Sequence, residues 1–114
     1  MTFPSNDVTQ HCIIAYSAEK RLSPESVLII LTEFRPGVWK LLVRPDWQTI
    51  VEGDDQRYVR EMLEDMKSRL SGDPENLFKQ LSSLSVGPLI TDAVGQSVQK
   101  DSPLADMIGG FVEV

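Results

Sequence analysis

A Pro-Gly turn between two apolar runs constrains this chain more than any other feature of its sequence. Pro36 presets the φ angle needed at the first central position of a β-turn, and Gly37 is free to adopt positive φ at the second. The run before the turn, 27–35, is rich in β-branched residues, and the run after it alternates between two faces. The alternating apolar positions are Trp39, Leu41 and Val43. Two such runs predict an antiparallel hairpin over about 27–44, which Pro45 ends.

Three other segments fit more than one structure. Residues 8–17 have apolar side chains at both strand and helical spacing, and their Val, Ile, Thr and Tyr content favours a strand. Ser23-Pro24-Glu25 is also a plausible helix start, so a helical structure for 8–34 would overturn a sheet-first architecture. Residues 88–98 fit either a strand or a helix, and 47–51 fit a further short strand.

The middle of the chain predicts a helical hairpin, about 54–70 and 74–84. The first helix has Asp54 as a capping residue, and Gly72 is a natural terminator. Its apolar stripe is Val59, Met62, Leu63, Met66 and Leu70. Asp73, followed by proline, is typical of a second helix start. Because the link is so short, we expect the two helices to form a hairpin.

The end of the chain predicts a short helix and an alternating tail. Ser102-Pro103 can start a helix that runs through Ile108, and Gly109-Gly110 would end it. Residues 111–114 alternate between apolar and polar side chains. Such a tail either docks on a sheet edge or frays.

Together these elements predict one α+β domain spanning 1–114, whose first few residues and C-terminal tail are free to be flexible. The small antiparallel sheet contains the hairpin of about 27–44, and the helical hairpin packs on one face of it. The other face of the sheet then needs a cover. A second copy of the chain would supply one, so a homodimer is a natural expectation.

The charge of the chain limits its partners. It has 17 acidic and 11 basic residues, and its net charge is −6. Since no segment is a basic cluster, we expect no binding to nucleic acid and none to anionic membranes. Residues 51–75 hold eight acidic and four basic residues, so this region would prefer a basic partner.

The sequence also predicts a cytoplasmic location. Cys12 is the single cysteine, which fits a reducing compartment. The first seven residues have no basic flank and no apolar run behind them, so we expect no signal peptide. The longest apolar run, 27–31, is far shorter than the roughly 20 residues that cross a bilayer.

The sequence contains no recognisable catalytic constellation. His11 and Cys12 combine an imidazole with a thiol, but adjacent strand residues point to opposite faces. We therefore expect Cys12 to be a small core residue and His11 a half-exposed one. One histidine and one cysteine are too few for a zinc site, and no glycine pattern predicts a phosphate site. We predict no catalytic residue, no metal and no cofactor.

Candidate binding residues come from the segment that is richest in aromatic residues and arginine. These residue types are enriched at the energetic centres of protein interfaces. The candidates are Trp39, Arg44, Trp47, Arg57 and Tyr58. The competing interpretation places Trp39 in the core on the inner face of the hairpin and Trp47 over the sheet edge.

Two functions fit these features. The first is a small acidic interaction or regulatory module without catalytic activity, which binds a protein partner. The second is a small enzyme or ligand-binding protein with a pocket between sheet and helices. That pocket would be lined by carboxylates and arginines such as Glu33, Arg44 and Arg57.

Overall fold

The computed structural model describes residues 10–16, 27–86, 88–95 and 103–114, which form six strands and four helices. In chain order they are β1 (Gln10–Tyr16), β2 (Val27–Arg35), β3 (Val38–Val43), α1 (Trp47–Ile50), α2 (Gly53–Gly72), α3 (Pro74–Leu81), β4 (Ser85–Val86), β5 (Leu89–Gly95), α4 (Pro103–Gly110) and β6 (Val112–Glu113). The first nine residues, where flexibility is expected, lie outside the described part.

The strands form one antiparallel sheet in the order β4-β5-β1-β2-β3-β6. The predicted α+β class is therefore confirmed. The hairpin is also confirmed: β2 and β3 pair from Ile29↔Val43 to Arg35↔Val38. Gly37 has a φ of 80°, the left-handed conformation that its turn position requires.

Within the segment 8–17, residues 10–16 form the strand β1, which lies in the interior of the sheet between β2 and β5, and the remaining residues lie outside the described part. Alternate residues belong to different layers: Cys12 and Ile14 face one core cluster, and Ile13 faces the other. Because both faces are covered, apolar residues are consecutive in β1. This pattern explains why its sequence also fits a helix.

The helices α2 and α3 cover one face of the sheet, as predicted. Val59, Leu63 and Met66 from α2 and Leu77 and Leu81 from α3 are buried against β1, β2 and β3. We call this side the first face. Burying this stripe is the main source of stability for helices of this length.

The helix starts are partly as predicted. Asp73 caps α3, because its carboxylate accepts a 3.1 Å hydrogen bond from the backbone N–H of Asn76. Asp54 does not cap α2: the capping position is Glu52, whose backbone N–H donates to the hydroxyl of Tyr16 over 3.3 Å. The helix begins at Gly53, one residue earlier than expected. The second helix ends at Leu81 rather than 84.

The short strand expected at 47–51 is wrong, because this segment is the helix α1. The backbone N–H of Thr49 donates to Asp46 over 3.0 Å, and that of Val51 donates to Trp47 over 3.0 Å. Both bonds close helical turns just after Pro45. The indole of Trp47 lies in the core on the first face.

The helix α4 packs on the other side of the sheet, which we call the second face. Ile108 is buried there with Ile13, Val27, Ile30 and Leu42. Part of the face that was expected to need a second copy of the chain is thus covered by this chain itself. The predicted helix through Ile108 is confirmed, although Gly109 and Gly110 form its last turn rather than following it.

The C-terminal tail docks on the sheet edge. Glu113 lies opposite Leu42 and Val112 opposite Val43, and the backbone N–H of Val114 donates to Leu41 over 2.9 Å. The segment left open at 88–98 forms the strand β5 over its first part, and residues 96–98 lie outside the described part. Among the described helices, none has both the length and the apolar character needed to cross a bilayer.

Candidate functional site

His11 and Cys12 face opposite layers, so the structure contains no thiol–imidazole pair. The Cys12 thiol is buried on the first face, where it donates to the carbonyl of Leu81 over 3.1 Å. Burial raises the pKa of this thiol to about 12, which keeps it protonated. The arrangement is that of an inert core cysteine, as the sequence predicts.

His11 is more deeply buried than expected. Only 6% of its surface is exposed, and within the described part its Nδ1 atom has no hydrogen-bond partner. It lies across from Thr32 on β2 and from Gly95 on β5. Burial lowers the pKa of the imidazole below 6.5.

Metal-ligating side chains do not gather in the part of the chain that the structure describes. No three histidine, cysteine, aspartate or glutamate residues there could hold an ion together. Two acidic residues of α2 instead pair with arginines one turn away. Arg57 lies 3.1 Å from Glu61, and Arg69 lies 3.1 Å from Asp65. These contacts are typical of a solvated helix face.

The five sequence candidates for binding do not all face solvent. Trp47 is only 8% exposed, so little of its side chain is available to a partner. Trp39 is half-buried and its ring centroid lies 5.5 Å from that of Phe78. Tyr58 is also half-buried against the first core cluster. Only Arg57, next to Tyr58 on α2, is largely exposed.

Arg44, the remaining candidate, lies beside α4. Its Nε atom donates to the carbonyl of Val27 over 2.8 Å, and its guanidinium lies 5.3 Å from the ring centroid of Phe111. Glu33 and Arg57 are not near it in any described contact: Glu33 accepts from Gln10 and from the N–H of Gly37. The pocket residues suggested by the sequence are therefore not brought together.

A different cavity lies on the second face, between the hairpin and α4. Its volume is about 280 Å³. The lining side chains come from β2, β3, α4 and β6 and from the residue between α4 and β6: Thr32, Phe34, Lys40, Leu42, Ile108, Phe111 and Glu113. We call it the second-face cavity. The sequence-based hypothesis also has a pocket between sheet and helices, but with a lining of carboxylates and arginines. The lining of this cavity is mostly apolar.

Two charged side chains line this cavity. The Nζ atom of Lys40 lies 5.1 Å from the ring centroid of Phe34, within the range of a cation–π contact. Glu113 enters from β6, where it lies opposite Leu42. Lys40 is two residues before Leu42 on the same face of β3, so the two charges are diagonal neighbours across a strand pair.

The tip of the hairpin carries a second feature, which we call the hairpin patch: Phe34, Arg35, Val38 and Lys40. The guanidinium of Arg35 lies 5.9 Å from the ring centroid of Phe34, on which Lys40 also converges. Val38 is 46% exposed and shares a face of β3 with Lys40. The patch is therefore apolar and positively charged, in a chain whose net charge is −6.

Comparisons with protein-family models, with curated proteins and with solved structures each gave no match. Function is therefore inferred from the chain's own geometry.

Sequence reasoning did not single out Lys40, Phe111 or Glu113. A signal for Lys40 is present, because the alternation that places Trp39 on the first face places Lys40 on the second. No comparable signal exists for Phe111 and Glu113. Their positions depend on the tail pairing with β3, which is a contact over about 70 residues of chain.

Proposed function

We propose that the protein is a non-catalytic interaction module that binds a protein partner through the hairpin patch. The observation that carries the proposal is the exposure of Val38 beside a phenylalanine ring contacted by two cations. Apolar side chains at the tip of a hairpin gain little by folding when they stay in water. Exposed apolar groups next to arginine and aromatic residues are typical of binding surfaces.

The charge of the patch favours a partner segment that has acidic residues beside apolar ones. Arg35 is exposed and Lys40 is half-buried, whereas Glu33 on the same hairpin is engaged by Gln10 and Gly37. This preference differs from the basic partner that the acidic residues of 51–75 suggest. On the outer face of α2 acidic and basic residues are balanced. That face therefore attracts a basic partner less strongly than the composition of residues 51–75 suggests.

The competing surface is α2, where the sequence candidates Arg57 and Tyr58 lie. A matched pair of charge reversals separates the two surfaces. Tagged wild-type protein, Arg35→Glu and Arg57→Glu are each used to capture partners from native lysate at low and moderate salt, and the captured proteins are quantified by mass spectrometry.

We expect one stoichiometric partner that fades as salt rises, because salt screens exposed charges. Arg57→Glu should retain this partner and Arg35→Glu should lose it. Loss with Arg57→Glu alone would move the interface to α2. Recovery of the tagged chain alone, with no second protein, would contradict the proposal of a protein partner.

A second candidate function is the binding of a small molecule, and the second-face cavity favours it. Ligand sites are concave, mostly apolar and supplied with a few polar groups. This cavity has four apolar or aromatic walls and two charged side chains. Stabilisation of the protein by a small ligand, independent of added macromolecules, would support this function.

A further inference from the structure

The second-face cavity can accept only a small ligand. Its volume of about 280 Å³ lies just below the range of roughly 300–1,000 Å³ that is typical of ligand pockets. Phe34, Leu42, Ile108 and Phe111 line most of it. These walls would bury an apolar side chain of the ligand, and Thr32, which also lines the cavity, already donates its hydroxyl to the carbonyl of Gln10 over 3.2 Å.

The two charges of the cavity are of opposite sign and are held on different strands. Lys40 is anchored by β3 and contacts the Phe34 ring, and Glu113 belongs to β6. The ion pairs of the described residues lie on α2 and do not include either of them. Each charge can therefore bind a ligand group of opposite sign without first breaking a described ion pair.

A ligand with a single charge would satisfy only half of this arrangement. A simple carboxylate would gain from Lys40 but would be repelled by Glu113, and a simple amine would face the reverse situation. A ligand with a carboxylate and an ammonium group on one carbon satisfies both. The cavity thus combines an apolar lining with a cation and an anion at diagonal positions on one face.

We propose that the second-face cavity binds a small apolar amino acid in its zwitterionic form. Lys40 pairs with the ligand carboxylate, Glu113 accepts hydrogen bonds from the ligand ammonium group, and the side chain lies against Phe34, Leu42, Ile108 and Phe111. This inference rests on the second candidate function, the binding of a small molecule, and adds the ligand class to it.

The test is a calorimetric titration of the full chain with four probes. L-Phenylalanine and L-leucine carry both charges, 3-phenylpropionate lacks the ammonium group, and phenethylamine lacks the carboxylate. We expect the two amino acids to bind roughly tenfold more tightly than phenethylamine, which loses the contact with half-buried Lys40, and roughly two- to fivefold more tightly than 3-phenylpropionate, which loses only the contact with exposed Glu113. Amide shifts in NMR spectra should be centred on Leu42 and Ile108.

Matched variants assign the charges. Lys40→Gln should weaken amino-acid binding by roughly tenfold, because Lys40 is half-buried, and Glu113→Gln by roughly two- to fivefold, because Glu113 is exposed. The controls Lys67→Gln and Glu61→Gln remove exposed charges from α2 and should leave binding unchanged. Melting temperatures of all four variants within a few degrees of wild type show that folding is retained.

The outcomes separate this inference from the function on which it rests. If 3-phenylpropionate binds as tightly as L-phenylalanine and Glu113→Gln has no effect, the zwitterion is wrong while small-molecule binding stands. If none of the four probes binds at millimolar concentration, the inference of an amino-acid ligand is wrong. Shifts centred away from Leu42 and Ile108 would place the ligand outside the cavity and would also overturn the inference.

Discussion

The contact between His11 and Gly95 shows how a single residue position is constrained by its cross-strand neighbour. A Cβ atom at Gly95 would lie 2.6 Å from Cε1 and 2.8 Å from Nε2 of the His11 ring. Real side chains do not approach so closely, and the ring is buried and cannot move into solvent. Glycine at 95 is therefore required by the imidazole at 11.

We predict that Gly95→Ala lowers the free energy of unfolding by about 1–3 kcal/mol, the usual cost of overpacking. Urea denaturation measures this change. Gly53→Ala is the control, because a Cβ atom there meets nothing within 4 Å and lies in a helix. Equal loss in both variants would show that the His11 contact is not the cause.

The buried imidazole also predicts a pH dependence. Burial lowers the pKa of His11 in the folded state, so below pH 6.5 the unfolded chain binds this proton more readily. The residues paired with it, Thr32 and Gly95, carry no charge that would offset this. The free energy of unfolding should therefore fall as pH falls from about 6.5 to 5.

The measurement is the free energy of unfolding across this pH range for wild type and for His11→Gln. We expect the wild-type value to decline and the variant to be flatter over the same range, above the region where carboxylates titrate. Identical slopes in the two proteins would rule out His11 as the source.

At the scale of elements, a sequence pattern predicts the structure well when only one kind of element produces that pattern. The hairpin is defined by Pro36-Gly37, and α2 by an apolar stripe with polar residues around it. The strand β1 is ambiguous because both of its faces are buried. The helix α1 was missed because a four-residue helix has no periodicity to detect.

Asp73, the cap of α3, and Asp54, which lies in the first turn of α2 without capping it, give a direct test at this scale. Asp73→Ala removes the hydrogen bond to the N–H of Asn76 and should cost about 0.5–2 kcal/mol of stability. Asp54→Ala removes a residue in the first turn of α2 that is not its cap, so only the weaker helix-dipole effect is lost. Thermal and urea denaturation of both variants make the comparison. A larger loss in Asp54→Ala would contradict the observed caps.

The two covers of the sheet differ in how far they could be predicted. The helices α2 and α3 follow one another closely in sequence, so their common packing on the first face is a local inference. The positions of α4 on the second face and of β6 beside β3 cannot be inferred from neighbouring residues alone. Residues far apart in the chain must come into contact there. The second-face cavity lies at that junction, which is why its lining was not predicted from sequence.

At the scale of the whole molecule, one sheet separates two layers with different roles. The first face holds the larger core and the inert thiol of Cys12. The second face holds the smaller core, the cavity and most of the hairpin patch. Of the aromatic and arginine residues suggested by the sequence, Trp39, Trp47 and Tyr58 support the first core. The proposed binding surface is instead the hairpin patch.

The most direct test of this assignment compares two valines of nearly equal exposure. Val38, in the hairpin patch, is 46% exposed. Val94 is 48% exposed and belongs to β5, which β1 separates from the hairpin in the sheet. The amount of partner captured from native lysate is measured for Val38→Glu and Val94→Glu against wild type. If the hairpin patch is the binding surface, Val38→Glu loses the partner and Val94→Glu retains it at the wild-type level. Equal capture by the two variants would contradict the assignment.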